Sequence, residues 1–239
     1  MIPKCIHKVC IVDGFELPEL PKGIDEAIRT WKEYNPDYEL KVYSGNDCRK
    51  YIQLHYDDEM LRYFDTLKPY SYKADLFRFL VLYNEGGWYS DLRQVCKYSL
   101  HDLDITGHEF YTSLDAPPNH MCMYTAFIGS VRKHPILKKT IDIIKWNIDH
   151  EHYGLDCLYP TGPGAYMYGA VDYVRKYPQR CAIGKHIIDR DGSEYVVIGK
   201  RIILKCKYNN AVGANNDDLQ GTNDYGKMWR SGDIYLKHT

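Results

Sequence analysis

The stretch Lys73-Ala74-Asp75-Leu76-Phe77-Arg78-Phe79-Leu80-Val81-Leu82-Tyr83-Asn84-Glu85-Gly86-Gly87-Trp88-Tyr89-Ser90-Asp91-Leu92-Arg93 decides how this chain is read. From Tyr72 to Glu85 apolar side chains surround the helical wheel, which predicts a helix that is largely buried. Asp75 and Arg78 break that pattern. Three residues apart, they share one face and can reach a common point. Gly86-Gly87 predicts a left-handed cap, and Trp88-Tyr89-Ser90-Asp91 a short strand that delivers Asp91 at or near its carboxyl end. Ligands sit at that end of the strands in open α/β sheets.

Ahead of this block, Lys4 to Val12 is apolar and β-branched and closes on Asp13-Gly14, which predicts a buried first strand. Ile24, Ala27, Ile28 and Trp31 fall on one helical face, and Asn35-Pro36 stops that helix because the residue before proline leaves the helical region. Tyr38 to Tyr43 alternates with a period of two, and Ser44-Gly45-Asn46 supplies a turn and a helix cap. Beyond the block, Met123 to Val131 is a strand candidate. His134-Pro135 opens a helix striped by Leu137, Ile141, Ile144 and Ile148. Thr161-Gly162-Pro163-Gly164 is a rigid turn before a helix to about Tyr177. Asp191-Gly192 between Ile187-Ile188 and Tyr195-Val196-Val197 signals a hairpin. Asn209 to Lys227 reads as an exposed, mobile loop. Strands alternating with helices, followed by a β-rich end, predict one mainly α/β domain over residues 1–239.

Composition narrows the function. The 239 residues carry 31 Lys+Arg against 32 Asp+Glu, a net charge of −1, with 44% hydrophobic residues. A chain of this length buries roughly 70% of its unfolded surface, so its core needs no disulfide or structural metal. Near-zero net charge argues against a nucleic-acid partner. The longest apolar run, Phe79 to Tyr83, is far short of the roughly 20 residues that cross a membrane. The eight cysteines include no Cys-x-x-Cys pair and read as free thiols in a reducing, cytosolic setting. Twenty-three tyrosines suit surfaces that combine stacking with a hydroxyl, as sugar- and base-binding clefts do, as well as ordinary amphipathic packing.

Phosphate-loop, nucleophile-elbow, His-Glu-x-x-His and dinucleotide fingerprints are missing; Gly162-Pro163-Gly164 is only a weak lookalike. His150-Glu151-His152 reads as a solvated helix end rather than a metal site. The chemistry therefore falls to the opening block, where burying charge beside so much hydrocarbon is costly without a use.

That block resembles the nucleotide-sugar site of glycosyltransferases of the DXD sugar-binding class, the family 32 or initiating α-1,6-mannosyltransferase type. There an Ala-Asp-x-x-Arg helix leads into Gly-Gly-x-Tyr-x-Asp-x-Asp. Ile2-Pro3-Lys4-Cys5-Ile6-His7, Trp31-Lys32-Glu33-Tyr34-Asn35-Pro36-Asp37-Tyr38 and Thr161-Gly162-Pro163 are similar to further landmarks of the family, in its order. The resemblance implies an α/β, GT-A-like nucleotide-sugar-binding fold with a mainly parallel mixed central sheet flanked by helices. It implies a UDP- or GDP-sugar donor, a glycan, lipid or protein acceptor, and retention of anomeric configuration. Carried over, Asp75, Arg78, Tyr89 and Asp91 would hold the donor, beside the Gly162-Pro163 turn. Trp229 resembles a tryptophan that toxin-type relatives place over the leaving phosphate.

One departure bears on catalysis. Where the family has Asp-x-Asp, this chain has Asp91-Leu92-Arg93, so a carboxylate that normally binds Mn²⁺ or Mg²⁺ is replaced by a cation. Three readings stay open. Arg93 replaces the metal and, with Asp91, forms the catalytic pair; Asp91 holds a metal with help from Asp233 or His186; or the chain binds a nucleotide sugar or glycan without turning it over. Because the opening strand begins at residue two, with no anchoring helix ahead of it, a soluble cytoplasmic enzyme is expected.

Overall fold

The computed structural model describes residues 1–116, 122–209 and 219–237. In chain order the elements are β1 (Cys5–Val9), α1 (Lys22–Tyr34), β2 (Glu39–Tyr43), α2 (Gly45–His55), α3 (Asp58–Thr66) and α4 (Tyr70–Glu85). Next come β3 (Gly87–Ser90), β4 (Val95–Cys96), α5 (Leu100–Asp104), β5 (Phe110–Leu114), β6 (Phe127–Ser130), α6 (Pro135–Asp149) and α7 (Pro163–Lys176). The chain then adds β7 (Cys181–Ile188), β8 (Glu194–Ile198), β9 (Arg201–Lys205) and α8 (Tyr225–Arg230).

The strands form one sheet in the order β2-β1-β3-β6-β5-β7-β8-β9-β4. It is mixed, as expected, but its balance differs from the mainly parallel sheet read from the sequence. Among the described residues three junctions are parallel (β1–β2, β1–β3, β5–β7) and five antiparallel. Short connections decide two of the five: the turns that join β7 to β8 and β8 to β9 can link only antiparallel neighbours, whereas parallel ones need a long crossover.

Side-chain alternation sends adjacent residues to opposite faces. Val9, Tyr89, Ile128 and Phe110 pack against α2, α3, α4, α6 and α7 on one face. Ile6, Trp88, Phe127 and Tyr111 pack with Trp31 of α1 and Leu100 and Leu103 of α5 on the other. Helix α4 is the buried pillar of the first layer, with Leu76, Phe77, Phe79, Leu80, Val81 and Leu82 all inaccessible to solvent. It ends as the sequence requires. Gly86 and Gly87 have φ of 68° and 97°, and a Cβ on Gly87 would come within 2.6 Å of the Cys5 carbonyl oxygen. This double glycine turns the chain directly from α4 into β3, beside β1.

The loop expected over Asn209 to Lys227 is only partly so. Residues 210–218 lie outside the described residues, Leu219 is buried against Val12, Ile24, Ile28 and Leu92, and α8 begins at Tyr225. All eight cysteines are free. Among the described residues no helix is long and apolar enough to cross a membrane.

Candidate functional site

A cavity of about 440 Å³ opens at the carboxyl ends of β1 and β3. Such a volume suits a small organic ligand. Val9, Cys10 and Ile11 wall one side, Ala74 and Arg78 of α4 another, and Tyr89, Asp91, Leu92 and Arg93 the strand end. Tyr124, Cys206 and Lys207 and the segment containing Leu219, Thr222, Asn223 and Tyr225 complete the wall.

Arg78 organises the centre. Its Nη2 lies 3.0 Å from Asp75 Oδ1, its Nη1 3.4 Å from Asp91 Oδ1, and its guanidinium stacks 4.5 Å from the centre of the Tyr89 ring. The Tyr89 hydroxyl donates to Asp91 Oδ1 at 2.9 Å, and the Thr161 hydroxyl to Asp75 Oδ2 at 2.9 Å. Three side chains predicted from α4 and β3 thus meet. Burial works against the Arg78 charge, but Tyr89, Asp91 and Asp75 outweigh it and hold its pKa above the ordinary value. Burial likewise pushes Asp75 up to about 6, opposed by Arg78 and by the Thr161 hydrogen bond.

The predicted residues do not all face the cavity. Asp75 stands behind Arg78 and is absent from the lining. Gly162 and Pro163 stand behind Asp75 in turn: a Cβ on Gly162 would lie 3.1 Å from Asp75 Oδ2, so the turn's glycine lets Thr161 close on that carboxylate. Trp229 packs on the core with its indole N–H donating to the Tyr153 carbonyl at 2.8 Å, and Tyr225, one turn earlier on α8, lines the cavity in its place. Asp233, considered as a second metal ligand, pairs with Lys68. His150 and His152 pack around Trp146.

Lys8 is the residue the sequence reading missed. It is fully buried on β1, and its Nζ donates to Ser90 Oγ at 2.9 Å and to the Asp91 carbonyl at 3.0 Å, 4.5 Å from the Trp31 ring. Burial pushes its pKa down to about 7, with Asp91 and Cys96 pulling the other way. A lysine inside a strand read as buried was the available signal, because such a charge is seldom buried without a partner.

The donor set does not fit a hard divalent cation. Among the described residues Asp91 is the sole carboxylate lining the cavity, its Oδ1 already takes Tyr89 and Arg78, and the cations Arg93 and Lys207 line the same cavity. Mn²⁺ and Mg²⁺ ask for several oxygen ligands.

This α/β sheet with a cavity at its strand ends can be set beside known proteins. Residues 21–111 match the family described as "Glycosyltransferase sugar-binding region containing DXD motif", a stretch that includes Asp75, Arg78 and Asp91-Leu92-Arg93. The chain is 28% identical over 197 residues to inositol phosphoceramide mannosyltransferase 2 of Schizosaccharomyces pombe, covering 80% of this chain and 53% of that protein. It is 30% identical over 211 residues to the initiation-specific alpha-1,6-mannosyltransferase of Candida albicans, covering 72% of this chain and 54% of that protein. The chain thus spans about half the length of the curated relatives it matches. Its fold is shared with the PaToxG glycosyltransferase, with a TM-score of 0.54 and 20% identity, over 73% of this chain and 70% of that one. The fold is therefore GT-A-like, and over residues 21–111 the chain is similar to the DXD glycosyltransferases.

Proposed function

We propose that this chain transfers a hexose from a UDP- or GDP-sugar to a hydroxyl of a glycan, lipid or protein acceptor, with retention and without an obligatory metal. The observation that carries the reading is the cavity wall itself, where Arg93 stands beside Asp91 in place of a second carboxylate. In the reaction the sugar C1–O bond breaks with its electron pair passing to the diphosphate. The acceptor oxygen bonds C1, and the acceptor proton goes to the leaving diphosphate. The main demand is stabilisation of charge on that leaving group. Arg93 meets it through charge-assisted hydrogen bonds, with Lys207 on the same wall. Arg78, fixed by Asp75 and Asp91, presents its remaining polar edge to the donor, and Tyr89 fixes Asp91. Asp75, Thr161 and the Gly162-Pro163 turn act as positioning residues.

Donor hydrolysis and transfer by metal-free protein test this. The rate should be unchanged by added Mn²⁺ or Mg²⁺. Arg93→Ala should lower it on the order of 100-fold or more, as losing one oxyanion-stabilising group does. Arg93→Asp, which restores the Asp-x-Asp pattern, should regain activity only with Mn²⁺. A wild type that is inert until Mn²⁺ is added rejects Arg93 as the substitute. A protein that binds UDP- or GDP-sugars but neither hydrolyses nor transfers them is the non-catalytic binder instead.

A further inference from the structure

We propose that His186, Glu194 and Cys206 form a Zn²⁺ site, separate from Asp91 and adjoining the cavity. The inference does not depend on the transfer reading. Three neighbouring strands bring these residues to one face of the sheet. In the β7–β8 register His186 lies opposite Val196, and Glu194, two residues earlier on β8, projects from the same side. Cys206 follows β9, and its N–H donates to the Glu194 carbonyl at 2.8 Å. Their ligand atoms lie within 4.8 Å of one another.

Nε2 of His186 is 3.1 Å from Glu194 Oε2 and 3.3 Å from Cys206 Sγ. A tetrahedral zinc with ordinary bond lengths separates its N and O ligands by about 3.4 Å and its N and S ligands by about 3.6 Å. A few tenths of an ångström of outward movement would admit the ion. The other ring nitrogen, Nδ1, faces Asp115 Oδ1 at 3.4 Å. That contact falls short of a hydrogen bond, and Nδ1 is buried without one; closing on Asp115 when zinc binds would fix the tautomer that leaves Nε2 to ligate, the arrangement that commonly backs zinc-bound histidines. His186 and Cys206 are both buried, so the cluster is shielded from bulk water.

A donor set of one imidazole, one thiolate and one carboxylate favours Zn²⁺ over Mg²⁺ or Mn²⁺, which prefer oxygen alone. Three protein ligands leave a fourth position for water or for a ligand in the cavity that Cys206 lines. The remaining Cys-His-carboxylate group among the described residues, Cys5, His7 and Glu85, is less suited. Both His7 nitrogens there already meet other groups, Nδ1 the Tyr43 hydroxyl at 3.2 Å and Nε2 the Gly86 carbonyl at 3.1 Å.

Calorimetric titration of untagged, metal-stripped protein with Zn²⁺ should find one equivalent bound. Co²⁺ as a spectroscopic probe should give a thiolate-to-cobalt charge-transfer band with tetrahedral visible bands. Cys206→Ser should abolish the charge-transfer band, and Cys5→Ser should keep it. Asp115→Asn should weaken Zn²⁺ binding roughly 10- to 100-fold. Glu194→Gln, a nearly isosteric change, should weaken it too while circular dichroism stays native, which separates lost ligation from lost folding. Failure to bind an equivalent of Zn²⁺ overturns the site and leaves His186 as a partner of the two carboxylates alone. A band that survives in Cys206→Ser also overturns it.

Discussion

Arg78 shows what a single buried charge can do here. Its guanidinium is nearly inaccessible yet touches two carboxylates and an aromatic face, and removing one partner of such a pair leaves the other uncompensated, at a cost of about 3–5 kcal/mol. Lys8 plays the matching part beneath the site, tying β1 to the backbone of Asp91. Its pKa, pushed down by burial from 10.5 to about 7, makes a signed prediction. Between about pH 7 and 10.5 the unfolded chain holds a proton at Lys8 that the folded chain has released. The stability it contributes therefore rises with pH through that window, at up to about 1.4 kcal/mol per pH unit. Urea unfolding at pH 7, 8 and 9 should show this positive slope in the wild type and a slope smaller by that amount in Lys8→Met. Equal slopes would mean that Lys8 is charged in the folded protein across the range. The spacing of Asp75 and Arg78 was legible in the sequence because i, i+3 geometry is local. That Asp75 faces Arg78 and Thr161 rather than the cavity was not, since it depends on a turn 86 residues away.

Among the elements, the best read were those whose signals are local. The apolar surround of α4, the strand β2, the stripe of α6 and the Asp191-Gly192 hairpin all appear where expected, although burial along β2 does not alternate. Helix α6 begins as read, with His134 as N-cap, its Nδ1 accepting from the Ile136 N–H at 3.3 Å. Burial pushes His134 down to about 4, against the pull of Glu109. Between pH 6.5 and 4 the unfolded chain takes up a proton that the folded chain refuses, so the stability held by this group is lost as pH falls through that window. Asn is also a good cap. Melting temperatures should therefore fall more steeply over that range in the wild type than in His134→Asn, and parallel curves would reject the assignment. Elements set by packing were harder to read. β5 went unread although the Gly107 turn precedes it, α3 and α8 are short, and Met123 to Val131 contracts to β6 with Met123 left as an isolated bridge to Leu114.

At the scale of the molecule, the sheet gathers at one end the carboxyl termini of β1 and β3, the start of α4 and the chain around Leu219 to Tyr225. A nucleotide sugar that fills this cavity binds only the folded state. At 100 times its Kd it should add about 2.7 kcal/mol of stability, and raise the melting temperature by roughly 5–10 °C for a chain of this size. A thermal-shift panel of UDP- and GDP-sugars reads this directly. No shift with any nucleotide would remove the donor site as well as the transfer reading, whereas a failed Zn²⁺ titration would leave both standing. The sequence by itself determined that an α/β chain buries Asp75 and Arg78 on one helix and delivers Asp91 and Arg93 from the strand after it, because helical and strand periodicities are properties of neighbouring residues. Only the tertiary structure decided that antiparallel junctions outnumber parallel ones, that Lys8 sits under Asp91, that Tyr225 rather than Trp229 walls the cavity, and that His186, Glu194 and Cys206 converge. Each of these turns on contacts between residues distant in the chain, which depend on how the layers pack.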